Sequence, residues 1–416
     1  QKIYLLAPLF YWFNPFSMVN IWNRFLNNFF VFYAFLPLVL LLFIKGIRSK
    51  KYIYAVLIGL SSLIFSYASS SITISLLLWF VFSYAALFYL VFNKQGDKLF
   101  VVKFFLTTLL FWFLVNFWWI SQVLSYVGLG SFSAVTSSSF TTNSNYSTFF
   151  ILSQNLGNLI DILRLKHASF FADTENIRWV GIYQFPALTL LEFLIAGIYL
   201  LPVIIRRRQK EVLFLGGLFI LSVFFVKGNN PPLGEIFDQA FINFSFLQLF
   251  RNPLEKIGFI LSLSTAPLFC LGVSLLIGKF AAKWRRIAYL IFLFWLVVIW
   301  GWPFWTGLVF TSAETPTNKA EIGYKVKVPE FYKQARDWLF SQDDNFRLVV
   351  FPIGGEGITY LWSKGYSGVE LSNQLLPVTS VSFNTNIPFY NEVSKNLERI
   401  FLTRENFSKI MDVLNS

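Results

Sequence analysis

The sequence predicts an all-α polytopic membrane bundle of about nine transmembrane segments, followed by a small α+β extracytoplasmic C-terminal domain. Of the 416 residues, 56% are hydrophobic and only 13% are charged, and the mean hydropathy is +0.59. Soluble globular chains are about 45–50% apolar and about 25% charged. Long apolar runs recur up to residue 310, and short basic clusters separate them at regular intervals.

Nine apolar runs predict the transmembrane segments, because about 20 apolar residues cross a bilayer. They lie at residues 3–13, 27–44, 52–67, 72–92, 99–127, 179–205, 212–226, 257–277 and 287–310. The first run is too short to span alone. Since the chain opens at Gln1 without a signal peptide, we expect an N-terminal truncation. Asn14-Pro15 ends this run, because the residue before a proline is disfavoured in a helix.

Four basic clusters predict the orientation. They lie at residues 45–51, 94–103, 206–210 and 279–286, after every second run. The positive-inside rule places them in the cytoplasm. Segments 14–26, 128–178 and 227–254, and all residues after 310, then lie outside. The sequence thus predicts a multi-pass protein of the cell membrane with a cytoplasmic N-terminal end, a membrane domain at 1–311 and an extracytoplasmic domain at 312–416. We expect this second domain to be incomplete at its C-terminal end.

The same charge pattern bears on several function classes. The net charge of +13 is explained by topology, so we expect no nucleic-acid partner. One cysteine, Cys270, excludes an intrachain disulfide. The single histidine, His167, would have to serve every histidine role, and we find no Ser-His-Asp grouping in the sequence. We expect no cofactor and no metal. Glu192 is the main charge predicted inside a transmembrane segment, and such scarcity argues against ion-coupled transport.

The outer loop 128–178 is too long for a simple connection. Its first half, 130–148, is rich in Ser, Thr and Asn and predicts a mobile segment. The apolar spacing in 155–166 predicts a short interfacial helix. The second half supplies the candidate binding residues Asp161, His167 and Arg178, although a single loop histidine such as His167 is more typical of a solvated side chain than of an acid–base group or a ligand.

A short charged segment follows the second long outer loop. It contains Arg251, Glu255 and Lys256, and it lies between the polar segment 227–232 and the apolar run that begins at residue 257. Charges are costly inside a bilayer, so they lie at an interface, in a wet cavity or against partners. The alternative is an ordinary solvated flank of a transmembrane helix.

The region after residue 311 has a different pattern. It predicts an amphipathic helix over 329–340 and a strand over 346–352. Gly354-Gly355-Glu356-Gly357 is a weak phosphate-loop signal and is more typical of a turn. Tyr360, Trp362 and Tyr366 suit either a sugar-stacking surface or a small core.

Several motifs together resemble one superfamily. They are the polar segment at 228–232 followed by Phe246-Leu247-Gln248-Leu249-Phe250-Arg251-Asn252-Pro253, Asn14-Pro15-Phe16 with Tyr33-Ala34-Phe35-Leu36-Pro37, Arg347 to Pro352, Tyr360-Leu361-Trp362, and Tyr366-Ser367-Gly368. In these motifs the chain resembles the C-type (GT-C) membrane glycosyltransferases, in particular the mycobacterial α-(1→3)-arabinofuranosyltransferase group and the YfhO-like membrane proteins.

The resemblance implies an inverting transfer of a sugar from a polyprenyl-phosphate donor to a glycan or lipid acceptor of the cell envelope, on the extracytoplasmic face. In that superfamily an acidic residue of the first outer loop acts as the base. No Asp or Glu precedes Asp97 here, so the catalytic acid is expected upstream of residue 1 and no catalytic residue is assigned. Arg251, Glu255 and Lys256 become candidates for the donor phosphate.

We therefore expect Arg251 and Lys256 to face a cavity shared with loop residues 161–178, beside the bilayer. The alternative function is a non-catalytic one, a lipid-linked glycan transporter or an envelope-assembly scaffold. A transporter predicts a continuous polar path through the bundle, whereas an enzyme predicts a cleft that is open only on the outer face.

Overall fold

A computed structural model of the chain describes residues 2–24, 26–92, 97–128, 139–167, 179–314, 321–323, 326–342, 348–354, 358–360, 362–368 and 380–383, with residues 371, 375, 376, 396 and 399. The chain divides into two compact units. One comprises Gln1–Ser125 and Thr136–Val309, and the other comprises Tyr126–Val135 and Phe310–Ser416.

The first unit is a bundle of helices. Their bounds are α1 (Leu6–Phe13), α2 (Asn27–Ser49), α3 (Ile53–Ile64), α4 (Ile72–Phe92), α5 (Lys98–Gly128), α6 (Ser139–Leu156), α7 (Leu159–Leu163), α8 (Pro186–Ile205), α9 (Lys210–Val226), α10 (Gly234–Asn243), α11 (Pro253–Ile277) and α12 (Ala282–Phe294). Within the described ranges, five helices are long and apolar enough to cross a membrane: α2, α4, α5, α8 and α11. The unit is therefore an all-α bundle of membrane-protein character.

Helix α11 is the centre of this bundle. In its apolar stretch 72% of the residues are buried, against 28% in α5 and in α8. Helix α5 instead exposes an apolar stripe that includes Leu106, Leu110 and Leu114. Because this spacing puts the three side chains on one side of the helix, the stripe is a face for contact with lipid.

Two glycines let other elements approach α11 closely. A Cβ at Gly258 would lie 2.2 Å from the Phe16 ring, and one at Gly272 would lie 1.9 Å from the carbonyl oxygen of Ile198. Pro202 lacks the N–H that would bond this Ile198 carbonyl inside α8. This carbonyl, unused inside α8, therefore lies against the bare backbone of α11 at Gly272.

A buried polar group ties the chain's first helix to the centre. Helix α1 ends at Phe13 with Asn14 as its C-cap, as the sequence predicts. The Asn14 side chain accepts a hydrogen bond from the Ser17 amide (3.0 Å) and donates one to Ser262 Oγ of α11 (2.8 Å). The Tyr33 hydroxyl of α2 lies 2.7 Å from the same Ser262 oxygen. Three elements are thus fixed together by paired polar atoms, which is the condition for burying them.

The loop 128–178 differs from the prediction. Ser139–Leu156 is helical, although 130–148 was expected to be mobile. Its buried Phe149 stacks on Phe241 with ring centroids 4.3 Å apart, and such packing outweighs a low local helix propensity. Within the predicted interfacial helix at 155–166, α7 covers Leu159–Leu163; it buries Ile162 and leaves Ile160 53% exposed. Residues 168–178, including Arg178, lie outside the described residues.

Two predicted spans are shorter or broken. Helix α3 covers 12 residues and is followed by a 3-10 turn at Ser66–Ser70. In the last run α12 ends at Phe294, a π-helical turn covers Trp295–Trp300, and a short helix at Trp302–Trp305 follows Gly301. Pro303 near the start of that short helix explains the interruption, because proline is tolerated only in a first helical turn.

In its described residues the second unit contains short strands and the helix α13 (Glu330–Phe340). The strands are β1 (Thr311–Glu314), β2 (Glu321–Gly323), β3 (Leu348–Gly354), β4 (Ile358–Tyr360), β5 (Lys364–Gly368) and β6 (Ser380–Phe383). One sheet has the order β1-β2-β5-β4, and β3 pairs with β6 in parallel. Trp362 lies 4.9 Å from Tyr360 and 5.4 Å from Tyr332 between ring centroids, so these three partly exposed aromatic rings pack together. The predicted turn at 355–357 lies outside the described residues.

Candidate functional site

The start of α11 is built to hold charges at the edge of an apolar helix. Asn252 is its N-cap, and its side-chain oxygen accepts the Glu255 amide at 3.4 Å. Pro253 occupies the first turn, where its missing N–H costs nothing. Pro253 and Leu254 are buried, so the next two residues, Glu255 and Lys256, are fixed in position by the helix that follows.

Glu255 pairs with an arginine that is distant in sequence. Arg24 Nη1 contacts Glu255 Oε1, and the two side chains are 35% and 15% exposed. Arg24 follows the π-helical turn Met18–Asn23. That turn is held near the bundle by Asn23, whose side chain donates to the Val309 carbonyl at 2.8 Å. The ion pair therefore joins the first loop to the start of α11.

Lys256 and Arg251 add positive charge beside this pair. The Lys256 ammonium lies 4.7 Å from the centre of the Phe29 ring of α2, a cation–π contact. The charges of Glu255, Arg24 and Arg251 all act on it. Arg251 itself is exposed. We call Arg24, His167, Arg251, Glu255 and Lys256 the basic cluster.

His167 reaches the same cluster from the loop. Its pKa is lowered to about 4, mainly because burial disfavours the charged imidazolium. The nearby Glu255 carboxylate opposes this shift, and the Arg24 guanidinium adds to it. His167 is therefore neutral at pH 7, and it contributes a polar ring without adding charge.

A second group of charges lies next to the first along the chain. Arg164 contacts Asp161 through Nη2, and its Nη1 lies 3.2 Å from Glu192 Oε2. Lys166 Nζ lies 3.4 Å from both Glu192 oxygens, and the Glu192 side chain is 1% exposed. These residues, Asp161, Arg164, Lys166 and Glu192, form the Glu192 network. It has two cations and two carboxylates, so its charges balance internally.

The turn after α7 sends consecutive residues into the two groups. Leu165 has a left-handed backbone (φ 58°), and Lys166 N donates to the Asp161 carbonyl at 2.8 Å. Leu165 N donates to the Ile162 carbonyl at 2.9 Å. These two bonds define a Schellman motif, here with leucine where glycine is usual. As a result Lys166 joins the Glu192 network and His167 joins the basic cluster.

The polar segment 227–232 closes on itself and on α6. Lys227 Nζ donates to the Asn230 carbonyl at 2.8 Å, and the Asn229 amide donates to Ser153 Oγ at 3.0 Å. Gly228 has φ +56°, and a Cβ there would lie 1.8 Å from the same Ser153 oxygen. Lys227 is only 3% exposed, so its side chain bonds within this polar segment and does not face solvent.

The predicted site residues therefore fall into two different groups of charges. Arg251, Glu255, Lys256 and His167 meet in the basic cluster, whereas Asp161 belongs to the Glu192 network. Arg178 lies outside the described residues. Among the residues that the structure describes, no group of three His, Cys, Asp or Glu side chains could hold a metal ion.

Arg24 was missed by the sequence analysis. It is the only charged residue of the predicted outer segment 14–26, and an isolated charge between two apolar runs was the available signal. Its partner could not be inferred, because Glu255 lies 231 residues further along the chain.

Comparisons with protein families, with curated proteins and with solved structures gave no match to this chain.

Proposed function

We propose that this chain acts as a membrane glycosyltransferase, or as part of one, that moves a sugar from a polyprenyl-phosphate donor to a glycan or lipid acceptor outside the cytoplasm. The basic cluster is the donor-phosphate site in this proposal. The proposal extends the family resemblance of the motifs described above, and the cluster supplies its physical basis.

The observation that carries the proposal is the position of Lys256 beside the Arg24–Glu255 pair, at the start of the most buried candidate span. Glu255 is engaged by Arg24, and it orients that cation beside Lys256. Phosphate is recognised by such charge-assisted hydrogen bonds, and arginine offers a planar fork of donors. The positive end of the α11 dipole points the same way, since a helix N-terminus favours anions.

A topology with nine spans suits this role. In our proposal the segment around α1, then α3, α9 and the interrupted run from α12 to Phe310, cross the membrane with the five long helices. The four lysine- and arginine-rich segments at 45–51, 94–103, 206–210 and 279–286 then lie in the cytoplasm. The start of α11, the loop containing Asp161 and Arg178, and an α+β domain from residue 312 share the outer face. A lipid-borne phosphate reaches the basic cluster from the outer leaflet.

Binding of an isoprenyl phosphate tests the proposal. The full chain is placed in nanodiscs of zwitterionic lipid and titrated with farnesyl monophosphate, with farnesol as the ligand that lacks the phosphate. We expect Lys256→Gln to weaken farnesyl monophosphate binding about 10- to 150-fold, because a hydrogen bond to a charged group contributes about 1.5–3 kcal/mol. Farnesol binding is expected to stay unchanged.

The matched control is Lys283→Gln, which removes one exposed lysine from α12. If Lys256→Gln and Lys283→Gln behave alike, the basic cluster does not bind the donor phosphate. If wild-type protein binds the phosphate but transports a polyprenyl-linked glycan across proteoliposomes without transferring sugar, the transporter alternative replaces the enzyme.

A further inference from the structure

A crevice next to the lysine- and arginine-rich segments 45–51, 94–103 and 206–210 lies outside the proposed donor site. It has a volume of about 760 Å³ and lies among α2, α4, α5, α9 and α11. This volume is in the range of small-molecule and lipid-chain sites, roughly 300–1,000 Å³. Its lining joins parts of three segments that the sequence places far apart: residues 48 and 50, residues 97, 100 and 101, and residues 210 and 211.

The two ends of the crevice have different chemistry. The inner part is lined by apolar side chains, among them Pro37, Leu40, Leu215, Leu263 and Pro267. The mouth is lined by charged side chains, namely Arg48, Lys50, Asp97, Lys210 and Glu211. An occupant that uses both ends must carry hydrocarbon at one end and an ionised group at the other.

Arg48 is held in position at the mouth. Its Nε donates to the Tyr89 hydroxyl at 2.8 Å, and its Nη2 donates to Glu211 Oε1 at 3.3 Å. These bonds fix the guanidinium plane and leave further N–H donors on the fork. Lys50 and Lys210 line the same mouth, so cations outnumber carboxylates there by three to two. The mouth therefore favours an anion.

Two helix prolines shape the inner part. Pro37 lies inside α2 and Pro267 inside α11. Each removes one backbone hydrogen bond from its helix. The carbonyl freed by Pro37 is that of Tyr33, and the Tyr11 hydroxyl donates to it at 2.8 Å. A smaller apolar groove of about 460 Å³ shares Pro37, Leu263 and Pro267 with the crevice, so apolar lining continues past both prolines.

We propose that this crevice is a binding site for an anionic phospholipid. The head-group phosphate contacts Arg48, Lys50 and Lys210, and an acyl chain follows the apolar lining toward Pro37 and Pro267. A free phosphate would leave the apolar part unused, and a zwitterionic lipid would gain less from the cationic mouth. The site is separate from the basic cluster and does not depend on the proposed transferase activity.

Native mass spectrometry of the full chain in a neutral detergent tests this site. The protein is titrated with phosphatidylglycerol and, separately, with phosphatidylcholine of the same acyl chains. We expect the double variant Arg48→Gln, Lys210→Gln to weaken phosphatidylglycerol binding about 30-fold, because each basic side chain near an anionic head group contributes about 1 kcal/mol. Phosphatidylcholine binding is expected to change little.

The matched control is Lys283→Gln with Arg286→Gln, which removes the same charge from exposed positions of α12 outside the crevice. A third variant, Leu215→Trp, fills the apolar part without a charge change, and we expect it to weaken both lipids. The proposal is wrong if the two double variants lose phosphatidylglycerol equally, if Leu215→Trp leaves both lipids bound, or if millimolar inorganic phosphate displaces phosphatidylglycerol from the wild-type protein.

Discussion

The Glu192 network and the basic cluster both place charges against apolar helices, but they differ in balance and in access. The Glu192 network pairs two cations with two carboxylates around a side chain that is 1% exposed. The basic cluster sets three cations against one carboxylate, and Arg24 remains 35% exposed. A closed and balanced group holds helices together, whereas an open group with excess positive charge can bind an anion.

Disrupting the Glu192 network is expected to have the largest effect on the free energy of unfolding. Glu192→Gln leaves Arg164 and Lys166 buried beside a neutral amide. Removing one partner of a buried ion pair costs about 3–5 kcal/mol, because the remaining charge stays desolvated. Thermal unfolding of the protein in detergent measures this loss. The control is Glu211→Gln at the exposed pair with Arg48, where a loss of at most about 1 kcal/mol is expected. Equal losses in both variants would contradict a structural role for the Glu192 network.

Protonation of His167 is expected to have the second-largest effect on stability. The folded pKa of His167 is about 4, and the unfolded pKa is about 6.5. Between these values the unfolded chain binds the proton and the folded chain does not, so the free energy of unfolding falls as the pH falls. Below pH 4 the free energy of unfolding is lower by about 3 kcal/mol, and above pH 6.5 it is not lowered at all. Denaturant unfolding at several pH values measures the slope.

The control for this slope is His167→Asn, which keeps a polar side chain and removes the titration. His167 is the only histidine of the chain, so the difference between wild type and variant isolates one group. A slope between pH 6.5 and 4 that is unchanged in the variant would show that His167 is not buried in the folded protein.

Disrupting the basic cluster is expected to have the smallest effect on the free energy of unfolding. Arg24→Gln removes the partner of Glu255, but Lys256 remains close enough to act on the carboxylate. We expect a loss of about 1 kcal/mol, as for a partly exposed pair. The same unfolding assay as for Glu192→Gln allows a direct comparison. A loss as large as that of Glu192→Gln would mean that the basic cluster is a structural joint and would remove the main support for a ligand site.

Local patterns in the sequence predicted the parts of the fold that depend on neighbouring residues. The stop at Asn14-Pro15, the long apolar helices and the burial of Glu192 all follow from spacing, length and composition. Helix α6 was not predicted, since its Ser and Thr residues have low helix propensity and its stability comes from Phe149 packing on α10.

The candidate site was predicted only in part for a similar reason. The charged segment at 251–256 stands out locally, but its contacts are made by residues distant in sequence. Arg24 comes from the first loop and His167 from the turn after α7. The backbone reversal at Leu165 decides which group each loop residue joins, and leucine gives no sign of a left-handed backbone. Asp161 therefore pairs with Arg164 in the Glu192 network, a contact that the sequence pattern did not indicate.

The contact between Gly272 and the Ile198 carbonyl has a mechanical consequence. A methyl group at residue 272 would lie 1.9 Å from that oxygen, so α8 would have to shift away from α11 as a rigid helix. Glu192 lies on the same helix, about 9 Å from Ile198 at roughly 1.5 Å per residue. A displaced α8 carries the carboxylate away from Arg164 and Lys166. In a genetic screen, Gly272→Ala would consequently share a phenotype with mutations of the Glu192 network, although it changes no charge and lies on a different helix.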